Sequence, residues 1–375
     1  MTTVCFCVTN DVLTDQRVKR HATALVERDM RVTIVGRMKK QSQKLSADLF
    51  SVRRFRLPFE RGPLFYATYN IRLFFFLLRS DFDLVIANDA DTLLACYYAS
   101  KWKKFRWVYD SHEFFTGVPE LHAKPMVRRV WCAIERKAIP KVHARVTVNG
   151  SIADLLKRTY GYDFSVVRNV SNTRIPSKPR SRAELGLPEN VPIVILQGAW
   201  MNVDRGAEEA VEAFRFIPDA LLLVIGGGDV FPLLKEKVRN DPSLQKNVRI
   251  LDMMPANDLV HYTCHASLGL SLDKDTNLNY RYSLPNKLFD YIQCGVPVLA
   301  TPMVEVKNIV ETYQIGELAY DLEPERLAGQ IRAMIFDRKQ QIKWKQGLVK
   351  ASAELRWDHE KNTWKEVIAH ALKGD

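Results

Sequence analysis

Short apolar runs alternate with amphipathic stretches along most of the chain. Residues 4–9 resemble a strand, residues 16–28 carry apolar positions at helical spacing, and residues 31–36 resemble a second strand. Because a strand–helix–strand unit joins parallel strands, this order predicts a βαβ unit. Further strand-like runs follow at 83–88, 106–110, 144–149 and 165–169. The pattern therefore predicts an α/β domain built on a parallel sheet.

A turn-rich segment interrupts this rhythm and predicts a domain boundary. Residues 171–182 contain two prolines and three serines and have no apolar period. We expect an N-terminal domain at 1–175, a linker at 176–182 and a C-terminal domain at 183–355, with a final helix at 356–375 that could pack back on the first domain. The second domain has its own strand-like runs at 192–197, 220–225, 247–251, 266–272 and 296–300. The predicted fold is two facing, doubly wound, Rossmann-like domains with a ligand cleft between them.

Composition adds limits on class and location. The chain of 375 residues is 47% hydrophobic and 26% charged, which is typical of a soluble globular protein. Its longest apolar run, residues 73–78, is far shorter than the ~20 residues that cross a bilayer. The six cysteines are scattered, so we interpret them as reduced packing residues, and we prefer packing to metal binding for the group His261, Cys264 and His265. The expected location is cytoplasmic, since the first residues lack a charged segment typical of signal peptides.

Positive charge is concentrated in the first half of the chain. Residues 1–180 carry 32 Lys and Arg against 16 Asp and Glu, although the whole chain has a net charge of only +12. This polarity suits an anionic partner, such as acidic lipid or a polyphosphate, but is equally compatible with an ordinary solvated surface. The aromatic and basic stretch 65–79 could lie on the inner face of a membrane, although three adjacent phenylalanines favour burial. No nucleic-acid-binding module is recognisable, so no nucleic-acid partner is expected.

Two loops of the predicted first domain carry polar side chains beyond strand ends, where ligands of parallel sheets bind. The first loop contains Asn10, Asp15 and Arg17 but no glycine, which excludes the glycine fingerprint of dinucleotide-binding enzymes. Asp15 could cap the following helix or contact an acceptor. His112 and Glu113 follow another strand directly, and a histidine there could donate a hydrogen bond to a sugar hydroxyl or to developing charge. The alternative for His112 is a helix-capping turn.

The second half offers groups suited to a nucleoside diphosphate. Arg205 lies near a predicted helix start, where its guanidinium and free backbone N–H groups match a diphosphate, although a surface arginine is the alternative. Lys287 lies in the first turn of another predicted helix and could reach a phosphate, while Asp290 could accept hydrogen bonds from ribose hydroxyls. The glycines at 226–228 could form either a ligand loop or only a tight turn.

Taken together, these motifs resemble the retaining glycosyltransferases of family 4, which have the GT-B architecture. The most specific part is residues 285–298, Pro-Asn-Lys-Leu-Phe-Asp-Tyr-Ile-Gln-Cys-Gly-Val-Pro-Val, which is similar to the donor-binding helix of that family. The resemblance implies catalytic roles for His112, Arg205 and Lys287. It implies a donor site formed by Gly198, Arg205, Gly206, Asn286, Lys287 and Asp290. The acceptor-side candidates are Asn10, Asp15, Arg17 and Glu113.

The resemblance also implies an activity, with three departures from the family pattern. Asn10 and Asp11 replace a common glycine pair, Ala199 replaces a common arginine, and one member of a common glutamate pair is not kept while the other is Asp290. The implied reaction transfers a sugar from a nucleotide-sugar donor to a hydroxyl of a glycan or lipid-linked acceptor, with retention and without a metal or other cofactor, in cell-surface polysaccharide or glycolipid synthesis. The alternatives are a GT-B-type nucleotide-sugar epimerase and a catalytically silent sugar-nucleotide-binding scaffold.

Overall fold

The structure is a computed structural model of the 375-residue chain. It describes residues 1–12, 15–40, 42, 49–118, 121, 124–171 and 175–373. Residues 13–14 of the predicted first loop, 172–174 of the turn-rich segment and 374–375 of the predicted final helix lie outside the described residues. The chain divides into two compact units: the first comprises Met1–Asn169 and Asp358–Asp375, and the second Val170–Trp357.

The first unit is a seven-stranded parallel sheet flanked by helices, with strand order β3-β2-β1-β4-β5-β6-β7. Its strands are β1 (Thr3–Cys7), β2 (Arg31–Met38), β3 (Ser51–Arg56), β4 (Leu84–Asn88), β5 (Arg106–Ser111), β6 (Ala144–Thr147) and β7 (Ser165–Val166). Its helices are α1 (Gln16–Val26), α2 (Gly62–Arg79), α3 (Ala90–Ala99), α4 (Pro125–Ala138) and α5 (Gly150–Tyr160). From β3 onward a helix separates each pair of successive strands, and the sheet is parallel throughout, so the predicted doubly wound organisation is confirmed here.

The second unit contains a six-stranded parallel sheet with strand order β10-β9-β8-β11-β12-β13. Its strands are β8 (Ile193–Gly198), β9 (Leu221–Gly226), β10 (Val248–Asp252), β11 (Leu268–Ser271), β12 (Val298–Ala300) and β13 (Gly316–Leu318). Its helices are α6 (Ala207–Ala213), α7 (Phe231–Asn240), α8 (Pro242–Gln245), α9 (Ala256–Thr263), α10 (Leu278–Arg281), α11 (Asn286–Gln293), α12 (Val304–Tyr313), α13 (Pro324–Phe336) and α14 (Arg338–Glu354). The last helix of the chain, α15 (Trp357–Lys373), begins at the boundary of this unit.

Both faces of the second sheet are buried, as the near-continuous apolar composition of its strands requires. Along β8, Val194 and Leu196 belong to the apolar cluster on one face, whereas Ile193 and Ile195 belong to the cluster on the other. Successive side chains of a strand point to opposite faces, so one apolar strand contributes to both cores. Polar groups that bind a ligand are therefore expected at the strand ends, and in open parallel sheets they lie at the carboxyl ends.

Helix α15 returns the end of the chain to the first unit. The indole of Trp364 is fully buried and stacks on the imidazole of His21, with ring centroids 4.3 Å apart. Its Nε1 also donates to the backbone carbonyl of His21 at 3.2 Å. The carboxylate of Glu360 accepts hydrogen bonds from the backbone N–H and Nε of Arg168, each at 2.7 Å. These contacts assign residues 358–373 to the core of the first unit.

Helix α2 is partly buried and partly exposed. Its inward side includes Phe65, Tyr69 and Leu73, whereas Ile71 and Phe75 remain 57% and 45% exposed. Among the described residues, no helix combines the length and the apolar character needed to span a bilayer.

Candidate functional site

The carboxyl edge of the first sheet carries a buried charge cluster centred on Asp110 of β5. Asp110 is fully buried, and its carboxylate accepts hydrogen bonds from Nη2 and Nε of Arg17 at 2.7 and 3.2 Å. Nη1 of Arg17 donates to the carbonyl of Val167 at 2.9 Å, so this guanidinium is anchored on two strand ends. The arginine holds the pKa of Asp110 well below its usual range despite the opposing effect of burial. The acceptor-side candidate Arg17 is therefore a buried ion-pair partner, 4% exposed.

His112 lies between two carboxylates. Its Nδ1 is 3.1 Å from Asp89 and its Nε2 is 3.4 Å from Asp110, while its backbone N–H donates to Asp89 at 2.8 Å. Burial alone would lower the pKa of His112, but the charges of Asp89 and Asp110 outweigh it and raise that pKa well above its usual range. The side chain is 21% exposed, so an imidazolium with some access to solvent lies at this strand end.

The second histidine of the cluster, His21 of α1, behaves differently. Its Nδ1 is 3.3 Å from Asp110, yet the side chain is fully buried under Trp364. Burial, together with the charge of Arg17, lowers the pKa of His21 to about 4. The carboxylate of Asp110 therefore faces two imidazoles that differ in charge near neutral pH, because His21 is neutral and His112 is charged. Of the two, only His112 is accessible to solvent.

Asp89 and Asp91, which flank the start of α3, both contact other side chains of the first unit. Asp89 has a positive φ of 58°, and its carboxylate lies 3.1 Å from Nδ1 of His112. Asp91 is buried and accepts a hydrogen bond from the hydroxyl of Thr9. Burial and the neighbouring charge of Asp89 raise the pKa of Asp91 to about 7. Within the described ranges, no group of three or more His, Cys, Asp or Glu could hold a metal ion.

The remaining acceptor-side candidates lie around the same edge. Asp15 is the N-cap of α1 and accepts from the backbone N–H of Val18 at 3.0 Å, while its other oxygen accepts from the side chain of Asn10 at 2.8 Å. The capping alternative for Asp15 is thus the geometry observed. Glu113 is exposed next to His112. Gly36 allows the first loop to approach, since a Cβ there would lie 2.8 Å from the carbonyl of Asn10.

In the second unit, two cations converge on one buried carboxylate, that of Asp273. Nη1 of Arg205 lies 3.0 Å from Oδ1 of Asp273, and Nζ of Lys287 lies 3.9 Å from Oδ2. Asp273 is 1% exposed and Lys287 8%, whereas the Arg205 side chain is 27% exposed. Burial lowers the pKa of Lys287, and the charge of Asp273 opposes this shift. The guanidinium also lies over the ring of Tyr280, 4.2 Å from its centroid.

Asp290 belongs to a polar chain at the same edge of the second sheet. Its Oδ2 accepts a hydrogen bond from Nε2 of Gln197 at 3.1 Å, and the Gln197 side-chain carbonyl accepts from the hydroxyl of Thr263 at 2.7 Å. Gln197 is 2% exposed, so its amide is fixed and directs Asp290. Asn286, the first residue of α11, is exposed, whereas Lys287 beside it is buried.

The glycines of this edge allow two loops to pack backbone against backbone. A Cβ on Gly226 would lie 1.8 Å from the carbonyl of Gly198, and one on Gly228 would lie 2.3 Å from the carbonyl of Met201. The glycine-rich turn is therefore required by close packing against the loop that follows β8. Gly206 has φ of 75° before α6, and a Cβ there would lie 2.3 Å from Cβ of Leu272. That left-handed residue places Arg205 against the end of β11.

Sequence reasoning missed Asp273, the residue on which Arg205 and Lys287 converge. The signal was present, because Asp273 follows the apolar run 266–272 directly, at the carboxyl end of a buried strand. The group His261, Cys264 and His265 is interpreted above as packing residues. Its two histidines contact the backbone of Arg180: the N–H of Arg180 donates to His261 at 3.0 Å, and the carbonyl of Arg180 lies 2.6 Å from His265. Cys264 lies with its sulfur 3.5 Å from that of Cys294, and all six cysteines are free.

Comparison with protein families places a glycosyltransferase domain in each part of the chain. Residues 15–173 match the model for Glycosyltransferase Family 4, and residues 192–337 match the model for Glycosyl transferases group 1. Comparison of the sequence with curated proteins gives no match.

Solved structures agree with this fold. Sucrose-phosphate synthase from Thermosynechococcus elongatus is 16% identical with a TM-score of 0.82, and the match covers 100% of both chains. A glycosyltransferase from Rickettsia africae is 14% identical with a TM-score of 0.77, covering 100% of this chain and 99% of the other. Anabaena HepE in complex with UDP and glucose is 17% identical with a TM-score of 0.76, covering 98% and 100%. The predicted fold class and activity class are confirmed, and the chain belongs to the family 4-like glycosyltransferases of GT-B architecture.

Proposed function

We propose that the second unit binds the diphosphate of a nucleotide-sugar donor at Arg205 and Lys287. The observation that carries this proposal is the convergence of both cations on Asp273, beside the start of α11. A diphosphate carries more negative charge than one carboxylate and accepts bidentate hydrogen bonds from a guanidinium. Arg205 retains 27% exposure, so its fork can turn from Asp273 to a phosphate.

Asp273 serves to hold these cations ready before the donor arrives. Two positive side chains close together repel each other, and burial further disfavours the charge on Lys287. The carboxylate of Asp273 offsets both effects. When the bond from the sugar to the diphosphate breaks, negative charge grows on the leaving phosphate, and prepositioned cations stabilise it without reorganisation. Arg205 and Lys287 are therefore proposed as catalytic residues as well as binding residues, with no metal ion required.

Asp290 is proposed to accept hydrogen bonds from the donor ribose. Its carboxylate is directed by the fixed amide of Gln197 and lies one turn of α11 beyond Lys287. Asn286 is exposed at the first position of that helix, where its amide and the free backbone N–H groups can meet the donor. Gly198 and Gly206 would contribute close backbone approach on either side.

His112 is proposed to supply a positive charge in the first unit, since both of its ring nitrogens already face the carboxylates of Asp89 and Asp110. Its raised pKa keeps the imidazolium form at neutral pH, which suits interaction with a sugar hydroxyl or with charge that develops in the reaction. Asp89 and Asp110 fix the ring, and Arg17 fixes Asp110. Arg17 would thus be a positioning residue, while Asn10 and Glu113 remain the polar candidates for acceptor contact.

The full reaction we propose is transfer of the sugar to a hydroxyl of a glycan or lipid-linked acceptor, with retention, in synthesis of cell-surface polysaccharide or glycolipid. Retention comes from the family resemblance. Structures of similar fold were solved with different nucleotides: HepE with UDP and UDP-glucose, and starch synthase IV from Arabidopsis thaliana with ADP. The base is therefore the first property to measure.

The test is calorimetric and thermal-shift titration with UDP, GDP, ADP and CMP. One nucleoside diphosphate should stabilise the protein, by about 2.7 kcal/mol at a concentration 100 times its Kd. Arg205→Ala and Lys287→Met should each weaken binding at least tenfold. Matched controls are Arg332→Ala and Lys235→Ala, which remove exposed ion-paired cations elsewhere in this unit and should bind normally.

Turnover then separates a transferase from the two alternatives. A transferase releases nucleoside diphosphate from its nucleotide-sugar in proportion to acceptor, and Arg205→Ala should lower kcat about 10²–10³-fold. Interconversion of two nucleotide-sugars would instead identify an epimerase. Tight nucleotide binding with no release under any acceptor would identify a silent scaffold. Nucleotide affinity that is unchanged in both cation variants would refute the proposed site.

A further inference from the structure

A large apolar groove lies on the surface of the first unit. Helices α2, α3 and α4 form its walls, and its volume is about 1320 Å³. Its lining is dominated by aromatic and aliphatic side chains, among them Tyr66, Phe74, Leu94, Trp102, Val130 and Trp131. This volume exceeds the about 300–1,000 Å³ of sites for drug-sized molecules. The groove can therefore hold a longer ligand.

The apolar side chains of this groove are unusually exposed. Trp102 is 77% exposed, Met126 68%, and Ile71 and Val130 57% each. Single exposed apolar residues are ordinary, but a contiguous set that lines one concave surface marks a binding site. Ile71 lies on α2, whereas Met126 and Val130 lie on α4, so the exposure belongs to the groove and not to one helix face.

Positive charge surrounds the groove. Lys124 is part of the lining, the guanidinium of Arg79 lies 5.3 Å from the ring centroid of Phe75, and Nζ of Lys137 donates to the hydroxyl of Tyr98 at 3.2 Å. Among the described residues, Glu113 is the only acidic side chain of the lining. An apolar interior with a cationic rim is complementary to a molecule with a hydrocarbon part and an anionic part.

We propose that this groove binds the hydrocarbon chain of an anionic lipid, with the lipid phosphate held by the cations of the rim. Glu113 of the lining follows His112 directly, so the groove reaches the strand end that carries the accessible imidazolium. The groove would hold the lipid part of the acceptor, and this assignment as acceptor site rests on the proposed function. Binding of the lipid itself does not depend on the proposed function.

The probes are octyl, decyl and dodecyl phosphate, each titrated calorimetrically into the full chain below its critical micelle concentration. Each methylene that enters an apolar groove strengthens binding by up to about fourfold, so affinity should rise steeply with chain length. Inorganic phosphate should bind at least 100-fold more weakly than dodecyl phosphate. Dodecyl maltoside, which has the same chain without the charge, should bind more weakly than dodecyl phosphate.

The variants test the location of the chain. Ile71→Gln and Ala67→Trp place a polar group or a bulky ring in the groove, and each should weaken dodecyl phosphate binding about tenfold. Both positions are exposed, so folding should be retained. The matched control is Leu64→Gln: Leu64 lies on the same helix with the same 57% exposure as Ile71, but outside the lining. It should bind like the unmodified protein.

A second pair of variants tests the rim. Lys101→Gln combined with Lys137→Gln removes two cations that lie over the ring of Tyr98, with Nζ at 5.8 and 5.2 Å from its centroid. Affinity for dodecyl phosphate should fall towards that for dodecyl maltoside, because only Lys124 and Arg79 of the rim remain, while affinity for the maltoside should not change.

Three outcomes overturn the proposal: no binding below the critical micelle concentration, equal affinity across chain lengths, or groove variants that bind like Leu64→Gln. Equal binding of the phosphate and the maltoside overturns the anionic part. Nucleotide titration and nucleoside diphosphate release are measured separately, so loss of lipid binding with intact donor binding refutes the groove and leaves the donor site standing. The opposite result refutes the donor site alone.

Discussion

Replacement of Asp110 by Asn tests the charge cluster at the carboxyl edge of the first sheet. The substitution keeps the shape of the side chain and removes its charge. Asp110 is fully buried and Arg17 is 4% exposed, so water cannot replace the lost carboxylate. Removal of one partner from a buried ion pair costs about 3–5 kcal/mol, because the other charge is left without compensation. We expect a loss of that size in the unfolding free energy of the first unit.

The assay is urea unfolding followed by near-UV circular dichroism. The transition of the first unit should move to lower urea, while that of the second should remain, because both partners of the pair lie in the first unit. Asp163→Asn is the matched control: its carboxylate pairs with Lys157 at 2.7 Å, but it is 85% exposed, so no measurable change is expected.

A double variant shows whether the cost comes from the uncompensated charge. Arg17→Met combined with Asp110→Asn removes both charges, and it should recover much of the stability lost in Asp110→Asn. Nuclear magnetic resonance titration should also show a lower pKa for His112 in Asp110→Asn, since one of its two carboxylates is gone. A stability loss below about 1 kcal/mol in Asp110→Asn, or a double variant whose loss equals the sum of the losses measured in Asp110→Asn and in Arg17→Met alone, would refute the reasoning.

Three further predictions concern single residues. His112 has a folded pKa above its unfolded value of about 6.5, so the stability lost in His112→Gln should be largest below pH 6.5 and should shrink as pH rises through the folded pKa, as measured by urea unfolding from pH 5 to 10. Gly206→Ala should lower the free energy of unfolding by about 2–4 kcal/mol and weaken nucleotide binding, because φ is 75° and the added Cβ would lie 2.3 Å from Leu272. The control Gly161→Ala, with φ of 80° but open space around it, should lower the free energy of unfolding by only about 1 kcal/mol. Trp364→Ala should lower the unfolding free energy of the first unit by about 3–5 kcal/mol, although the residue is close to the end of the chain; an unchanged first transition would contradict the packing of α15.

The central strands were predictable because they are buried on both faces. Apolar runs such as those of β1, β4, β8 and β9 appear wherever two helical layers cover a sheet, and their observed positions lie within the predicted runs or one residue beyond. Two edge strands, β3 and β13, were missed, whereas the other two edge strands, β7 and β10, overlap predicted runs, so an edge position alone does not explain the difference. Strand β3 has the sequence Ser-Val-Arg-Arg-Phe-Arg, and its three arginines interrupt the apolar pattern that marks a buried strand. Strand β13 has only three residues.

At the carboxyl edge of each sheet, some candidate residues can be recognised from the sequence. The importance of others becomes clear only from their contacts in the structure. Arg205 and Lys287 are recognisable because each stands near a helix start, a local feature. Asp273 is 68 positions from Arg205, and its importance lies in a contact that no local pattern encodes. His112 illustrates the same limit, since its raised pKa depends on Asp89, which reaches it from 23 positions earlier across two neighbouring strand ends. The positions of the strand ends identify the candidate residues. The register of the parallel sheet determines which of these residues come into contact. A candidate site in this fold should therefore include the polar residue that directly follows each buried strand. This rule would have identified Asp273.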